Sequence, residues 1–178
     1  MNRKLSTDEM GRKSVEEFRL AGKTPLIFVL DNVRSALNTG SVFRTADAFL
    51  LHELVLCGYT ATPPHRDLLK TALGATETVS WRHFEQTAEA VEQLKSEGWT
   101  VVAAEQTAQS TALHQWQPSP GEKLAVVFGN EVEGVQQEVI DRCAGALEIP
   151  QHGAKHSLNI AVCAGIMAWE LSRKLNAQ

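Results

Sequence analysis

No apolar run in this chain approaches the roughly 20 residues that a membrane-spanning helix needs, so no membrane contact is expected. The segment Met1–Met10 lacks the apolar stretch of a secretory signal. Cysteine is scarce. Cys57, Cys143 and Cys163 are odd in number, widely spaced and set among apolar neighbours. That pattern argues against a disulfide framework and for reduced core thiols in a cytoplasmic protein. No His/Cys/Asp cluster has metal-ligand spacing, so no metal is expected. There is no Gly-x-Ser-x-Gly elbow and no Walker loop. A Gly-x-Gly-x-x-Gly fingerprint after a strand is also missing, which counts against a dinucleotide oxidoreductase. Internal repeats, low-complexity tracts and domain linkers are lacking too. Positive charge is in short supply, with 17 Lys and Arg against 21 Asp and Glu and a net charge of −4. That balance argues against nucleic-acid binding by bulk electrostatics, so any RNA surface is expected to be local or assembled from two subunits. The distribution is uneven, however: residues 1–23 hold six basic and four acidic side chains, residues 129–148 one and five.

What is present is a globular pattern. At 178 residues and 43% apolar, the chain suits one domain with a real core. Leu26 to Leu30 is a continuous apolar run of the kind buried parallel strands show. Glu53 to Cys57, Thr78 to Trp81, Thr100 to Ala104, Leu124 to Phe128 and Ala146 to Ile149 read as further strands. Helices are expected over about Thr39–Leu50, Asp67–Leu73, Thr87–Glu97 (with Gly98 as C-cap), Val135–Arg142 and Ser157–Leu175. Gln106 to Glu122 reads as a long connection. Ser6-Thr7-Asp8-Glu9 fits a capping box for a helix to about Ala21, in which Met10, Val15, Phe18 and Leu20 need cover. Trp81, Trp99 and Trp169 read as core, Trp116 as surface or interface. Strands separated by helices predict an α/β fold, a mostly parallel sheet flanked by helices. Residues 1–24 form an N-terminal helical extension and 25–178 the main domain.

Three loops follow strand C-terminal ends, the edge at which open parallel sheets bind ligands. The first, Asp31–Arg44, carries Asn32, Arg34, Asn38 and Arg44. The second, Gly129–Gly134, carries Glu131 between two glycines. The third, Pro150–Asn159, opens a long helix apolar at Ile160, Val162, Cys163, Ile166, Met167 and Leu171, which should be deeply packed. That loop offers Ser157, Asn159 and free backbone N–H groups, a ready polar or anion site. Each residue also has a plainer role. Asn38 and Ser157 are N-caps if taken singly, Gly129 and Gly134 are turn residues, and His152 and His156 are solvated. Arg44, inside an otherwise apolar helix, is the unusual one, because arginine is seldom buried without a partner.

Taken together and in order, Asn38-x5-Arg44-Thr45-Ala46-Asp47-Ala48-Phe49, Phe128-Gly129-Asn130-Glu131-x2-Gly134 and Ile149-Pro150-x2-Gly153-x3-Ser157-Leu158-Asn159 resemble the three signature motifs of the SpoU family. These are S-adenosylmethionine-dependent RNA 2′-O-ribose methyltransferases of the SPOUT class. Lys70-Thr71-Ala72-Leu73-Gly74-Ala75 is similar to the segment that follows the family's second strand. The resemblance runs from about Pro25 to the end. It implies a C-terminal trefoil knot from roughly Leu124 and a homodimer in which each site is completed by the partner. It implies a cofactor site at Gly129, Ile149, Gln151, Ser157 and Leu158, and a catalytic set of Asn38, Arg44, Glu131, Ser157 and Asn159. Gln151 departs from the family's more frequent methionine. The implied substrate is tRNA or rRNA. Because guanidinium stays protonated at neutral pH, Arg44 is expected to bind the phosphate beside the target ribose and stabilise a developing alkoxide, with the phosphate or a transiently neutral guanidine taking the proton. A SPOUT-fold RNA-binding or assembly factor with little catalysis is the alternative.

Overall fold

The computed structural model describes residues 2–6, 8–11, 13–155 and 157–176. After α1 (Val15–Leu20) the chain alternates strand and helix: β1 (Thr24–Asp31), α2 (Ala36–Ala48), β2 (Leu51–Cys57), α3 (Arg66–Ala72), α4 (Ala75–Thr78), β3 (Trp81–Phe84), α5 (Thr87–Ser96), β4 (Thr100–Ala104), β5 (Thr111–Ala112), β6 (Leu124–Phe128), α6 (Gln137–Ile140), β7 (Ala146–Glu148) and α7 (Ile160–Leu175). The seven strands form one sheet in the order β3-β2-β1-β6-β4-β7-β5. Every pairing is parallel. The parallel α/β expectation holds.

The apolar run of β1 is continuous because both faces of the sheet are covered. Successive residues point to opposite sides. Leu26, Phe28 and Leu30 join Val42, Phe43, Leu68, Met167 and Leu171 in one core layer. Ile27 and Val29 join Val91, Leu94, Trp99 and Val139 in the other. Helices α2, α3, α4 and α7 therefore share one face, and α5 and α6 the opposite one. Gly40 in α2 allows close approach to α3, since a Cβ there would strike the Leu68 carbonyl.

Several local expectations shift. At the expected capping box Glu9 Oε2 accepts from Ser6 N at 2.8 Å, while both reciprocal bonds form at Ser14, whose Oγ accepts from Glu17 N at 3.1 Å and whose N donates to Glu17 Oε2 at 2.7 Å. The reason is Gly11, whose φ of 60° breaks the chain between a 3-10 turn at Asp8–Met10 and α1. Thr7 lies outside the described residues. Of the apolar residues there, only Phe18 is buried, while Met10, Val15 and Leu20 are exposed. The third strand starts at Trp81, because Gly74 in a left-handed conformation restarts a helical turn over Ala75–Thr78. The stretch 135–142 is helical only over Gln137–Ile140, and the 106–122 connection contributes the short edge strand β5. Trp99 is buried, but Trp81 lies on the edge strand β3, exposed, and Trp169 is 63% exposed. Trp116 is half-buried against the core.

Candidate active site

The loops after β1 and β6 meet through Glu131. Its carboxylate accepts from the backbone N–H groups of Arg34 (2.8 Å) and Ser35 (3.1 Å) and from Asn38 Nδ2 (3.1 Å). Partial burial pushes the Glu131 carboxyl up. The donors from Arg34, its own amide, Ser35 and Asn38 outweigh that and hold it below its ordinary value. Asn38 is thus no N-cap. Ser35 caps α2, its Oγ accepting from Asn38 N at 3.2 Å, and this leaves the Asn38 amide free to reach outward. Its Oδ1 accepts from Asn159 Nδ2 at 3.3 Å. Asn159, in place of Ser157, caps α7: its Oδ1 accepts from Ala161 N at 2.9 Å and Val162 N at 3.4 Å. The chain Glu131–Asn38–Asn159 therefore links all three loops, spanning more than a hundred residues of sequence.

Below this chain opens a cleft of about 600 Å³. Gly129, Glu131, Ile149, Gln151, Ser157, Leu158 and Asn159, all singled out from sequence, line it together with Cys163 and Met167 of α7. The cleft has a definite charge. Glu105, Glu131, Glu133 and Glu148 border it, and none of its lining residues among the described ones is Lys, Arg or His. An anion at the α7 N-terminus would face these carboxylates, so the expectation of an anion site gives way to one that suits a cation. Backbone packing shapes the floor. A Cβ on Gly129 would strike the backbone of Gly134 and Val135, and one on Gly134 (φ 71°) would strike the Glu105 carboxylate. Glu105 was not singled out from sequence. Its Oε2 accepts from Val135 N at 3.1 Å, fixing the second loop from β4. Its place one residue past a strand at the ligand-binding edge was the available signal. Asn130 was quoted without a role, yet it organises its loop: its Oδ1 accepts from Val132 N and Glu133 N, and its backbone pairs with Gly134.

Arg44 does not join the cleft. It lies six positions after Asn38, about 9 Å along the helix and about 120° round it. It is exposed and lines a second hollow of about 420 Å³ with Ser41, Thr45, Ala48, Phe49, Lys70, Thr71 and Leu73. The final helix is not packed all round either. Ile160, Met167 and Leu171 are buried, but Val162, Ile166 and Trp169 lie exposed along one stripe at spacings of four and three. Trp169 meets the Phe49 ring edge-on across α2 and α7, 6.2 Å between centroids. Ser157 and His152 are exposed, and His156 lies outside the described residues.

The three cysteines are unpaired. Burial pushes the Cys57 thiol up to about 12 and those of Cys143 and Cys163 to about 11, so none is a thiolate near neutral pH. Among the described residues no cluster is fit to hold a metal ion, and no helix is long and apolar enough to cross a membrane.

Similarity to known proteins bears on this geometry. YacO of Bacillus subtilis, assigned to the TrmH family of tRNA/rRNA methyltransferases, is 30% identical over 164 residues, covering 92% of this chain and 64% of that one. The structure of an S-adenosylmethionine-bound rRNA methyltransferase from Sinorhizobium meliloti matches with a TM-score of 0.77 and 27% identity, over 91% of this chain and 61% of that one. A structure described for 2-OH methylation of C/U34 on tRNA matches with a TM-score of 0.71 and 28% identity, over 86% of this chain and 97% of that one. The chain thus spans less than two thirds of the length of the first two. Residues 25–169, which hold all three loops, the cleft and the sheet, match the SpoU rRNA Methylase family, and the chain belongs to it.

Proposed function

We propose that this chain is an S-adenosylmethionine-dependent methyltransferase that transfers a methyl group to a ribose 2′-OH of tRNA or rRNA. The observation that carries this reading is the Glu131–Asn38–Asn159 chain suspended over an acidic cleft lined by Gly129, Ile149, Gln151, Ser157 and Leu158. The cofactor's fit rests on that lining. The four carboxylates at its border suit the sulfonium and ammonium of such a ligand. Ile149, Leu158 and Met167 give an apolar wall, and the volume lies within the range of small-molecule sites. When bound, S-adenosylmethionine supplies an electrophilic methyl group. Gln151 sits on this lining as readily as a methionine would, its amide adding a polar contact.

The side chains divide the remaining work. Glu131 fixes the Asn38 amide, and Asn38, Asn159 and Ser157 orient the ribose so that oxygen, methyl carbon and sulfur are in line. Arg44 acts by charge, gripping the RNA phosphate and stabilising the alkoxide as it forms, and that phosphate or a transiently neutral guanidine takes the hydroxyl proton as the methyl–sulfur bond breaks. Within one chain Arg44 faces away from the cleft, so the reading requires a homodimer that brings Arg44 of one subunit to the cleft of the other. The exposed Val162, Ile166 and Trp169 stripe beside α2 supports that pairing. The chain from Leu124 onward is threaded as a trefoil knot. This is supported by the insertion of β6 between β1 and β4 and of β7 between β4 and β5. The extension before the 25–178 domain packs on it through α1, supported by buried Phe18 and by Arg19 donating to the Glu77 carbonyl at 2.9 Å. A cytoplasmic location suits the three reduced thiols. Transfer RNA is favoured by the likeness to the structure described for C/U34 of tRNA.

The test is transfer of a tritiated methyl group to bulk tRNA and bulk rRNA, followed by alkaline hydrolysis. A 2′-O-methyl group blocks cleavage, so label should survive in dinucleotides. Label in mononucleotides would mean base methylation and defeat the ribose assignment. RNA binding without any transfer would favour an assembly factor. Arg44→Ala should lose transfer by about two orders of magnitude or more while keeping cofactor affinity. Wild-type turnover by that variant would defeat its assignment.

A further inference from the structure

Tyr59, the only tyrosine of the chain, is 62% exposed, yet it is fastened at both ends. Its Oη accepts from Asn130 Nδ2 at 2.6 Å, and its backbone N–H donates to Asn32 Oδ1 at 3.3 Å. The loop beneath is equally fixed. Asn32 and Gly58 both take left-handed backbone conformations, with φ of 53° and 60°, and a Cβ at Gly58 would run into the Asn32 side chain. Gly58 N donates to the Phe84 carbonyl, and Thr60 Oγ1 bridges the Leu30 carbonyl and Val33 N. A freely hydrated aromatic ring needs none of this bracing. A ring held rigid with its face open loses little conformational entropy when something flat binds to it.

We infer that Tyr59 is a stacking platform for a nucleobase of the RNA substrate, a site separate from the cofactor cleft. This rests on the RNA methyltransferase reading above. Position singles out the ligand. The same Asn130 amide that holds Tyr59 also donates to the Asn32 carbonyl at 2.9 Å, one residue before Glu131 in the chain. Tyr59 therefore shares a hydrogen-bonded frame with the hub that orients Asn38. Tyr59 is not among the residues lining the cleft, so it does not serve the cofactor's adenine. Arg34 lies on the same frame, its backbone N–H bound by Glu131 and its side chain exposed, placed for the phosphate that accompanies a base. An aromatic face paired with a guanidinium is the usual equipment for unstacked RNA bases. Because Oη accepts from Asn130, its own proton is left for a ligand.

A single tyrosine gives a direct probe. Protein grown with 3-fluorotyrosine should show one fluorine resonance. It should shift when bulk tRNA or bulk rRNA is added to the full chain with S-adenosylhomocysteine bound. Tyr59→Ala should raise the RNA concentration for half-maximal methyl transfer by about 5- to 150-fold. Cofactor affinity and melting temperature should stay unchanged, and Tyr59→Trp should restore RNA affinity. Wild-type RNA dependence in Tyr59→Ala, or a resonance unmoved by an RNA that the protein methylates, would overturn the platform. So would a shift that follows protein concentration without RNA, since the ring would then face a second copy. A shift with RNA in protein that transfers no methyl would support the platform while defeating the activity it was built on.

Discussion

Replacing Lys174 by methionine should destabilise the fold by about 3–5 kcal/mol. Lys174 is 8% exposed. Its ammonium donates to the carbonyls of Leu113 (3.0 Å), His114 (3.0 Å) and Trp116 (2.6 Å), and it lies 3.1 Å from the Glu170 carboxylate. Hydrogen bonds involving a charged group contribute about 1.5–3 kcal/mol each. Three of them plus the ion pair would exceed the quoted figure. Water can reach the half-buried His114 and Trp116 carbonyls once the ammonium is gone, and methionine keeps most of the aliphatic stem, so roughly half the sum survives. For a chain of this length that corresponds to a melting temperature lower by roughly 6–20 °C. Urea titration reads the free energy directly. Lys95→Met is the control: its pair with Glu92 at 3.3 Å is exposed and should contribute under about 1 kcal/mol. The effect also reaches the site. The turn Lys174 holds is continuous with Leu113, whose N–H donates to the Glu148 carbonyl at 2.8 Å, and β5 pairs with the β7 strand that delivers Ile149 to the cleft. Cofactor affinity should therefore fall with stability. A loss below about 1 kcal/mol in Lys174→Met, or none relative to Lys95→Met, would refute this account of how the C-terminal helix is anchored.

Other perturbations separate the roles of neighbouring residues. Asn159→Asp should keep the α7 cap and cost little stability, whereas Asn159→Ala should cost about 1 kcal/mol; both should lower methyl transfer more than tenfold, because each removes the donor to Asn38, and an Asp variant of wild-type rate would refute the linking role. Arg82 holds the Glu97 carboxyl at about 2, below its ordinary 4.5. The folded value is the lower one, so this contribution is complete above pH 4.5 and lost as pH falls from 4.5 toward about 2; the stability gap between wild type and Glu97→Gln, read by urea midpoints, should narrow over that window and stay flat above it. Trp169→Glu should give a monomer by light scattering that still binds S-adenosylmethionine and has lost transfer. With Cys163 raised to about 11, only about one thiol in a thousand is ionised at pH 8, so alkylation of the folded protein should be far slower than after unfolding.

The sheet was legible because β1, β4 and β6 are covered on both faces and carry unbroken apolar runs, which periodicity reads directly. Boundaries failed where backbone conformation outvotes composition. Gly11 and Gly74, both at positive φ, cut or restarted helices that side-chain pattern would have continued or omitted. Caps were misassigned for a related reason. Ser35 and Asn38, like Ser157 and Asn159, are pairs of capping residues three or two apart, and propensity cannot choose between them. Contacts with Glu131, 93 residues away from Asn38, make the choice. The lining of the cleft was legible residue by residue because motif order carried it. The charge of the cleft was not, since Glu105 and Glu148 come from β4 and β7 and meet Glu131 only once β4 is placed between β6 and β7. The exposed Trp169 was missed because an apolar helix face reads the same in sequence whether or not the chain's own core covers it.

On the proposed reading, an acidic chain with an RNA substrate must keep its charges apart, and the fold does so. The four carboxylates of Glu105, Glu131, Glu133 and Glu148 that border the cleft repel phosphate at close range. The charge therefore disfavours a backbone phosphate there relative to a neutral ribose hydroxyl. Cations that could meet a phosphate lie outside: Arg34 on the loop after β1, and Arg44 with Lys70 in the hollow beyond α2. Lys70 is held to Asp67 at 2.6 Å by an exposed pair that costs little to exchange for a phosphate. On this arrangement the acidic cleft contributes to selection as well as to cofactor binding. Neutralising Glu133, which accepts no hydrogen bond from the Asn38 network, should admit phosphate more readily and raise inhibition by free nucleotides, with little change in cofactor affinity. Unchanged inhibition by nucleoside monophosphates in Glu133→Gln would show that shape, rather than charge, keeps the backbone out.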